Sequence, residues 1–159
     1  MGSQSVKIGV ALAPLKRLYV EAAPLIYYVE EHPIYIARMD AIIASVENAP
    51  IEMVSSVIIL TEVLTHPLRL GQIKLVQDYQ DILLQSGRFR LQPVTALIAE
   101  SAANLRARYN LRTPDALHIA TALESGCDAF LTNDLTIRRI TELTVVILDD
   151  LELDPPQMP

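Results

Sequence analysis

The sequence is poor in the residues that mark several common classes of protein. It has one cysteine, Cys127, no tryptophan and few other aromatic residues among its 159 positions. A single cysteine excludes a disulfide framework and a zinc site built from thiolates, and it favours a reducing, cytoplasmic location. The shortage of aromatic side chains leaves no visible platform on which single-stranded nucleic acid would stack.

Basic charge and long apolar runs are also missing. The formal net charge is −6, which disfavours a general nucleic-acid binder unless many of the acids surround a metal ion. No apolar run approaches the roughly 18 residues of a membrane-spanning helix, so we expect no membrane partner. We interpret residues 1–16 as a leader or a remnant of cloning rather than as a secretory signal.

What the sequence does contain is apolar aliphatic side chains in quantity. Hydrophobic residues make up 51% of the chain, which argues against disorder and suits one domain with a sizeable core. We assign residues 17–150 to this domain and residues 151–159 to an extended C-terminal tail. No repeat or low-complexity tract suggests a further division.

Strand-like and helix-like segments alternate along the domain. Short apolar segments predict five strands, at residues 17–20, 51–56, 88–94, 127–133 and 144–148. Helical patterns occupy residues 24–32, 33–48, 57–68, 71–87, 95–110, 113–126 and 134–143. We expect Thr95 and Thr113 to cap the helices that they open, Asn110 and Gly126 to end helices, and Pro67 to interrupt the segment 57–68. The alternation predicts an α/β fold: a three-layer α/β/α sandwich around a central, mostly parallel five-stranded sheet.

Four acids lie at or just beyond the ends of predicted strands, in apolar surroundings: Glu21, Glu62, Asp115 and Asp134. The carboxyl ends of parallel strands share one edge of a sheet, so we expect these side chains to gather there. Two carboxylates about 5 Å apart repel each other by roughly 3 kcal/mol at an effective dielectric constant of 20. No lysine or arginine occupies these positions, so Mg²⁺ or Mn²⁺ is the expected partner, as in metal-assisted phosphodiester hydrolysis.

Each of these acids also has an ordinary structural interpretation. Glu21 and Asp134 are in positions typical of helix caps, and Asp115 is in a first turn, where the helix dipole stabilises acids. Glu62 would suit the half-exposed face of a helix. Spacing alone leaves these alternatives open.

Three segments resemble a known family. "TPDALHIATALESGCDAFLTND", residues 113–134, closely resembles the C-terminal signature of PIN-domain proteins, the nuclease family that includes VapC-type toxins. "SSVIILTEVL" is similar to the segment around the family's second acidic position, and "YVEAAPLIYY" resembles its opening motif. The resemblance runs from about residue 17 to residue 149 and is most specific in the first of these segments.

The resemblance implies a metal-dependent ribonuclease with a catalytic, metal-binding quartet that carries over onto Glu21, Glu62, Asp115 and Asp134. Thr132 and Asn133 match the polar flank of the last acid. Members of this family often dimerise, and those that are toxins are held inactive by a small antitoxin. We therefore expect an RNA substrate, a homodimer and an antitoxin partner.

The opening motif departs from the family pattern. The family prefers aspartate where this chain has Glu21, and a hydroxyl or amide side chain commonly follows, whereas here Ala22 and Ala23 follow. The extra methylene adds roughly 1.5 Å of reach, and the loss of a hydrogen-bonding neighbour can cost tenfold or more in metal affinity or activity. The sequence therefore predicts weak RNA cleavage that favours Mn²⁺.

Other polar residues have two interpretations each. His118, one helical turn after Asp115, fits either a mixed aspartate–histidine metal site or a histidine packed against the sheet and hydrogen-bonded locally. We expect Asp128 to fix the turn before the fourth strand. The candidate rim for RNA phosphates consists of Arg112, Arg138 and Arg139, which would otherwise belong to solvated faces.

The apolar stripe on residues 24–48 is expected to lie mostly in the core, with any exposed part serving as a dimer or antitoxin surface. It contains Tyr27, Tyr28, Ile34, Tyr35 and Ile36.

Two other functions compete with the ribonuclease hypothesis. The first is a PIN-like domain without activity that serves as a binding or scaffold module, which Glu21, Ala22 and Ala23 favour. The second is a phospho-acceptor receiver, which the absence of a lysine in "TVVILDD" disfavours.

Overall fold

Short strands and longer helices alternate through the computed structural model, which describes residues 5–156. The strands are β1 (Val6–Lys7), β2 (Arg17–Val20), β3 (Glu52–Ser56), β4 (Phe89–Gln92), β5 (Ala129–Thr132), β6 (Val145–Ile147) and β7 (Leu151–Glu152). The helices are α1 (Ile8–Leu12), α2 (Ala22–Val29), α3 (Ile36–Asn48), α4 (Ile58–Arg69), α5 (Ile73–Gln80), α6 (Ala96–Tyr109) and α7 (Thr113–Glu124). A π-helical turn, Asp81–Gln85, continues α5.

Five of the strands form one parallel sheet in the order β4-β3-β2-β5-β6. The strand β2 lies at its centre, with Leu18 opposite Met53 of β3 on one side and Ala129 of β5 on the other. The chain builds outward from β2 to β4 and then crosses back to β5, so the strand order reverses beside β2. Sheets of this kind form a crevice at the carboxyl ends of the strands where the order reverses.

Helices cover both faces of the sheet, which confirms the predicted three-layer α/β/α sandwich. Successive residues of a strand point to opposite faces. Leu18 and Val20 accordingly belong to a core cluster with side chains of α1 to α5, whereas Tyr19 belongs to a second cluster with those of α6 and α7. None of the helices within residues 5–156 is long and apolar enough to cross a bilayer.

The chain before β2 packs against the domain. Strand β1 pairs in parallel with β7, which places Val6 opposite Leu151. Ile8 is 0% exposed and Leu12 is 2% exposed, and both belong to the larger core cluster. Part of the stretch predicted as a leader therefore contributes to the core, and part of the predicted tail supplies its partner strand. Residues 1–4 and 157–159 of those two stretches lie outside the described residues.

Most helix boundaries follow the predicted caps. The Thr95 hydroxyl accepts a hydrogen bond from Ile98 N at 3.2 Å, and Asn110 ends α6 in the left-handed conformation with φ of 54°. Gly126 follows α7 with φ of +68°, a conformation that a residue with a side chain rarely adopts. The predicted cap Thr113 is wrong, because α7 begins at Thr113 itself and Arg112 stands at the cap position.

Two helical predictions are also wrong. Pro67 does not interrupt α4 but lies inside its last turn. The backbone hydrogen bond that proline cannot donate is therefore lost only near the end of the helix. Residues 134–143 contain only a short 3-10 helix, Leu135–Arg139. Ile137, Ile140 and Leu143 are buried, and their spacing of three suits an α-helical face and a 3-10 turn equally.

Candidate active site

Glu21 stands where the strand order reverses. Its backbone N–H donates to the carbonyl of Leu131 at 3.2 Å, which ties the residue after β2 to β5. It occupies the cap position of α2, yet its side chain makes no capping bond. The residue is 9% exposed, and its carboxylate instead accepts a hydrogen bond from the hydroxyl of Thr132. The side chain of Glu21 therefore does not cap α2.

Thr132, the last residue of β5, joins two of the four acids. Its Oγ1 donates to Glu21 and accepts from the backbone N–H of Asp134 at 3.0 Å. The carboxylate of Asp134 accepts from Thr136 N at 3.0 Å and from the Thr136 hydroxyl at 2.8 Å, so Asp134 also caps the 3-10 turn. The Thr132 hydroxyl therefore holds the segments after β2 and β5 together.

The acids of the crevice act on each other's ionisation. The pKa of Glu21 is raised, foremost by burial and further by the negative charges of Asp115 and Asp134. The hydrogen bond from Thr132 and the nearby His118 oppose this rise. The charges of Asp115 and Asp134 therefore act on Glu21.

Glu62 lies on α4 and is held by His118, which also acts on the pKa of Glu21. The Nε2 atom of His118 lies 2.5 Å from Oε1 of Glu62, whose side chain is 32% exposed, while the histidine side chain is fully buried. On its other side, Nδ1 of His118 lies 2.5 Å from the hydroxyl of Tyr19. Of the two interpretations of His118, the structure shows the histidine packed against the sheet and hydrogen-bonded.

Burial acts on the inner end of this chain of three side chains. It raises the pKa of Tyr19 well above its usual value, so the phenol keeps its proton and has a hydrogen to donate to Nδ1 of His118. Tyr19 also stacks on Phe130, with ring centroids 5.0 Å apart, which fixes the buried end of the chain.

Asp115 has an arginine partner that the sequence analysis missed. Nε of Arg112 donates to Oδ2 of Asp115 at 2.9 Å, and Nη2 donates to Oδ1 at 3.3 Å. The side chain of Asp115 is 13% exposed and that of Arg112 is 80% exposed. The expectation of an acidic cluster without a nearby cation is therefore corrected, because the i, i+3 spacing on α7 brings this guanidinium to the cluster.

The other residues singled out in the sequence lie around this centre. Asn133 accepts a hydrogen bond from Asp149 N at 3.0 Å, which ties the end of β5 to the segment after β6. Arg138 pairs with Asp150, and Nε of Arg139 donates to the carbonyl of Thr136 at 3.1 Å. Both arginines thus stand on the turn that follows Asp134.

Asp128 lies at the opposite end of β5 from the acidic crevice. It accepts from the backbone N–H groups of Lys16 at 2.7 Å and Arg17 at 2.9 Å, and these bonds lower its pKa. It therefore anchors the start of β2, close to the structural role that the sequence predicted.

The donor set suits a hard divalent cation by its chemistry. Carboxylate oxygens are the ligands that Mg²⁺ and Mn²⁺ prefer, and the charges of Asp115 and Asp134 act on Glu21. As the side chains stand, however, no three acidic, histidine or cysteine side chains within residues 5–156 come close enough together to hold a metal ion. Each acid instead accepts hydrogen bonds from groups of the protein itself.

Comparison with known proteins identifies the family. The model of the PIN domain family matches residues 18–143, most of the chain. The chain belongs to the PIN domain family. This confirms the resemblance drawn from the three motifs, and the matched region of the PIN domain contains all four acids. A search of curated proteins finds no match.

Solved structures share the fold of this PIN domain. VapBC2 from Rickettsia felis, bound to a DNA fragment from its promoter, matches with a TM-score of 0.66 and 18% sequence identity, over 82% of this chain and 98% of that chain. A toxin–antitoxin complex from Klebsiella pneumoniae matches with a TM-score of 0.63 and 21% identity, over 82% of this chain and 97% of the other. At these identities the likeness supports the fold alone.

Proposed function

We propose that this PIN domain is a divalent-metal-dependent endoribonuclease and that it is the toxin of a toxin–antitoxin pair in the cytoplasm. The proposal is supported by the PIN family match over residues 18–143 and by Glu21, which lies where the strand order reverses and is subject to the charges of Asp115 and Asp134. An RNA phosphate backbone can approach an acidic crevice only if a cation neutralises the carboxylates. The negative charge of the crevice therefore favours metal dependence.

The proposed ligands are Glu21, Glu62, Asp115 and Asp134. A bound Mg²⁺ or Mn²⁺ would supply Lewis acidity toward a phosphodiester and stabilise the negative charge that develops on it. The surrounding residues would keep the ligands in place. The Thr132 hydroxyl sets the separation of Glu21 from the segment of Asp134, and His118 holds Glu62 from the buried side.

Cleavage of a mixed set of RNA oligonucleotides by the purified chain, in Mg²⁺ and separately in Mn²⁺, tests this proposal. We expect weak cleavage that is stronger in Mn²⁺, faster cleavage by Glu21→Asp, and none by Asp115→Asn. Glu124→Gln is the matched control, because Glu124 is an exposed acid at the other end of the same helix. Absence of cleavage in both metals, by wild type and by Glu21→Asp alike, would contradict the proposal.

A scaffold without activity is the second candidate function. It is favoured by the alanines that follow Glu21 and by the partners that already occupy the acids, such as Arg112 on Asp115. Titration with Mn²⁺ separates the two candidates. A scaffold would bind no ion in the crevice, whereas a nuclease would lose its ion when Asp115 becomes asparagine.

We also propose a homodimer and a small antitoxin as partners. Among the solved structures with this fold are VapBC2 from Rickettsia felis and a toxin–antitoxin complex from Klebsiella pneumoniae, which supports the second of these. On the apolar stripe, Tyr27 and Tyr35 stack with their ring centroids 4.3 Å apart, while Ile34 is 67% exposed. Light scattering of the purified chain would show a mass of two chains. A monomer at micromolar concentration would contradict the dimer.

Growth of a host that expresses the chain tests the toxin role. We expect growth to stop when the chain is induced, whereas the Asp115→Asn variant should allow normal growth. Arrest by this variant as well would contradict a toxin that acts through RNA cleavage.

A further inference from the structure

Arg112 makes an ion pair that stands out among the contacts of the crevice. Within residues 5–156, Arg112 is the only lysine or arginine that forms an ion pair with one of the four acids. The pair uses two of the guanidinium nitrogens and both carboxylate oxygens of Asp115. An arginine in this geometry hydrogen-bonds to the same two oxygens that are available as ligands for a metal ion.

The position of Arg112 in the chain does not by itself favour a cation. It caps the N-terminus of α7, where the helix dipole disfavours positive charge. The negative charges of Asp134 and Glu21 add to that of Asp115 in acting on this guanidinium. The acidic cluster, rather than the helix, is therefore what holds Arg112 in place.

We infer that Arg112 is the counterion of the acidic cluster when no divalent cation is bound, and that its guanidinium leaves Asp115 when one binds. The inference rests on the metal dependence proposed above. Arg112 engages both oxygens of Asp115, and its positive charge repels a second cation at the same carboxylate, so the guanidinium and a metal ion compete for Asp115. The arginine side chain is 80% exposed, so it can turn into solvent without breaking a packed contact.

The pairing therefore acts as an internal competitor of the metal. It neutralises part of a cluster whose carboxylates repel each other, and it lowers the apparent affinity of the crevice for a divalent ion. An ion pair this exposed is weak, so we expect its removal to tighten metal binding by about two- to fivefold.

NMR of the arginine Nε–H groups, during titration of the ¹⁵N-labelled chain with Mg²⁺, tests the displacement directly. We expect the Arg112 signal to shift as the ion binds. Arg106 is an internal control, because its Nε donates to the carbonyl of Leu111 at 2.9 Å and touches none of the four acids. Binding of Mg²⁺ that leaves the Arg112 signal unmoved would overturn this inference while leaving metal dependence intact.

Titration of variants with Mn²⁺ tests the competition. Arg112→Gln should bind the ion about two- to fivefold more tightly than wild type, and Arg112→Lys, which keeps the charge without the paired geometry, should lie between them. Arg108→Gln removes the same charge from an arginine that pairs with Glu142 instead, and it should bind like wild type.

The outcomes are distinct. Equal tightening by Arg108→Gln would assign the effect to net charge and overturn the inference, as would unchanged or weaker binding by Arg112→Gln. Failure of every variant and of wild type to bind Mg²⁺ or Mn²⁺ would overturn both the inference and the proposed metal dependence.

Discussion

The buried chain from Tyr19 through His118 to Glu62 can be tested with a double-mutant cycle. Tyr19→Phe removes one hydroxyl from a ring that is 0% exposed, and it leaves Nδ1 of His118 without its partner. His118→Leu removes the histidine from between the other two. It leaves the Tyr19 hydroxyl buried, whereas Glu62 is 32% exposed and can be solvated by water.

The expected magnitudes follow from what each variant leaves unpaired. A buried donor or acceptor without a partner costs about 1 to 3 kcal/mol, whereas replacing both partners by apolar groups costs much less. Each single variant should therefore lose about 1 to 3 kcal/mol, and the double variant should lose less than their sum. The Ser55 hydroxyl donates to the carbonyl of Val20 at 2.9 Å and also acts on the pKa of Tyr19. Because Ser55 can turn to the Tyr19 hydroxyl when His118 is removed, we place the coupling at about 1 kcal/mol.

Urea unfolding followed by circular dichroism gives the four free energies of unfolding. Tyr28→Phe is the surface control, because that hydroxyl lies 3.5 Å from Nη1 of the exposed Arg88, and it should cost less than about 0.5 kcal/mol. Losses that add to within about 0.3 kcal/mol would show that Tyr19 and His118 act independently. That result would refute the view that one buried hydrogen-bond chain holds Glu62.

Three further predictions concern stability and RNA binding. Because the pKa of Glu21 is raised in the folded chain, its carboxyl group destabilises the fold increasingly as the pH rises above the ordinary glutamate pKa. Glu21→Gln should therefore raise the melting temperature at neutral pH, measured in EDTA. An increase that does not shrink on acidification would contradict this. Ile8→Ala should lower the free energy of unfolding by about 2 to 4 kcal/mol. Val10→Ala should change this free energy little, because Val10 is 67% exposed. Equal losses in the two variants would argue against burial of α1. Arg139→Glu should weaken the binding of RNA and reduce the salt dependence of that binding. The control Arg69→Glu, at the end of α4, should have a smaller effect. Equal effects would show that Arg139 is not part of the RNA-binding rim.

The architecture could be predicted because it depends on patterns that are local in the chain. Apolar runs bounded by capping residues predict strands and helices, and Thr95, Asn110 and Gly126 end or begin helices as their chemistry requires. The alternation of these elements leaves few parallel arrangements. Once the sheet is parallel, Glu21 and Asp134 must lie at the same edge.

The partners of the acids could not be predicted, since they depend on contacts between distant segments. Tyr19 and Glu62 reach His118 from two other elements, and nothing in the order of residues indicates which ring nitrogen faces which group. The pairing of Arg112 with Asp115 had a signal in its i, i+3 spacing. That spacing does not say whether an exposed arginine turns toward the acid or toward solvent.

The N-terminal strand was missed for a different reason. Val6 and Lys7 are too few to form a recognisable strand pattern, and their partner Leu151 lies at the other end of the chain. Ile8 and Leu12 are apolar residues four apart, which suits the buried face of a short helix, but so short a pattern does not distinguish a packed helix from an apolar leader.

The central position of β2 has a consequence for the order in which this protein is made. The ribosome releases β2 early, yet one side of that strand pairs with β5, so Leu18 waits for Ala129 to emerge. Glu21 cannot meet Thr132 before β5 has left the ribosome, so the crevice does not exist until then. If the proposed ribonuclease activity holds, that activity is therefore absent while the segments between β2 and β5 are being translated.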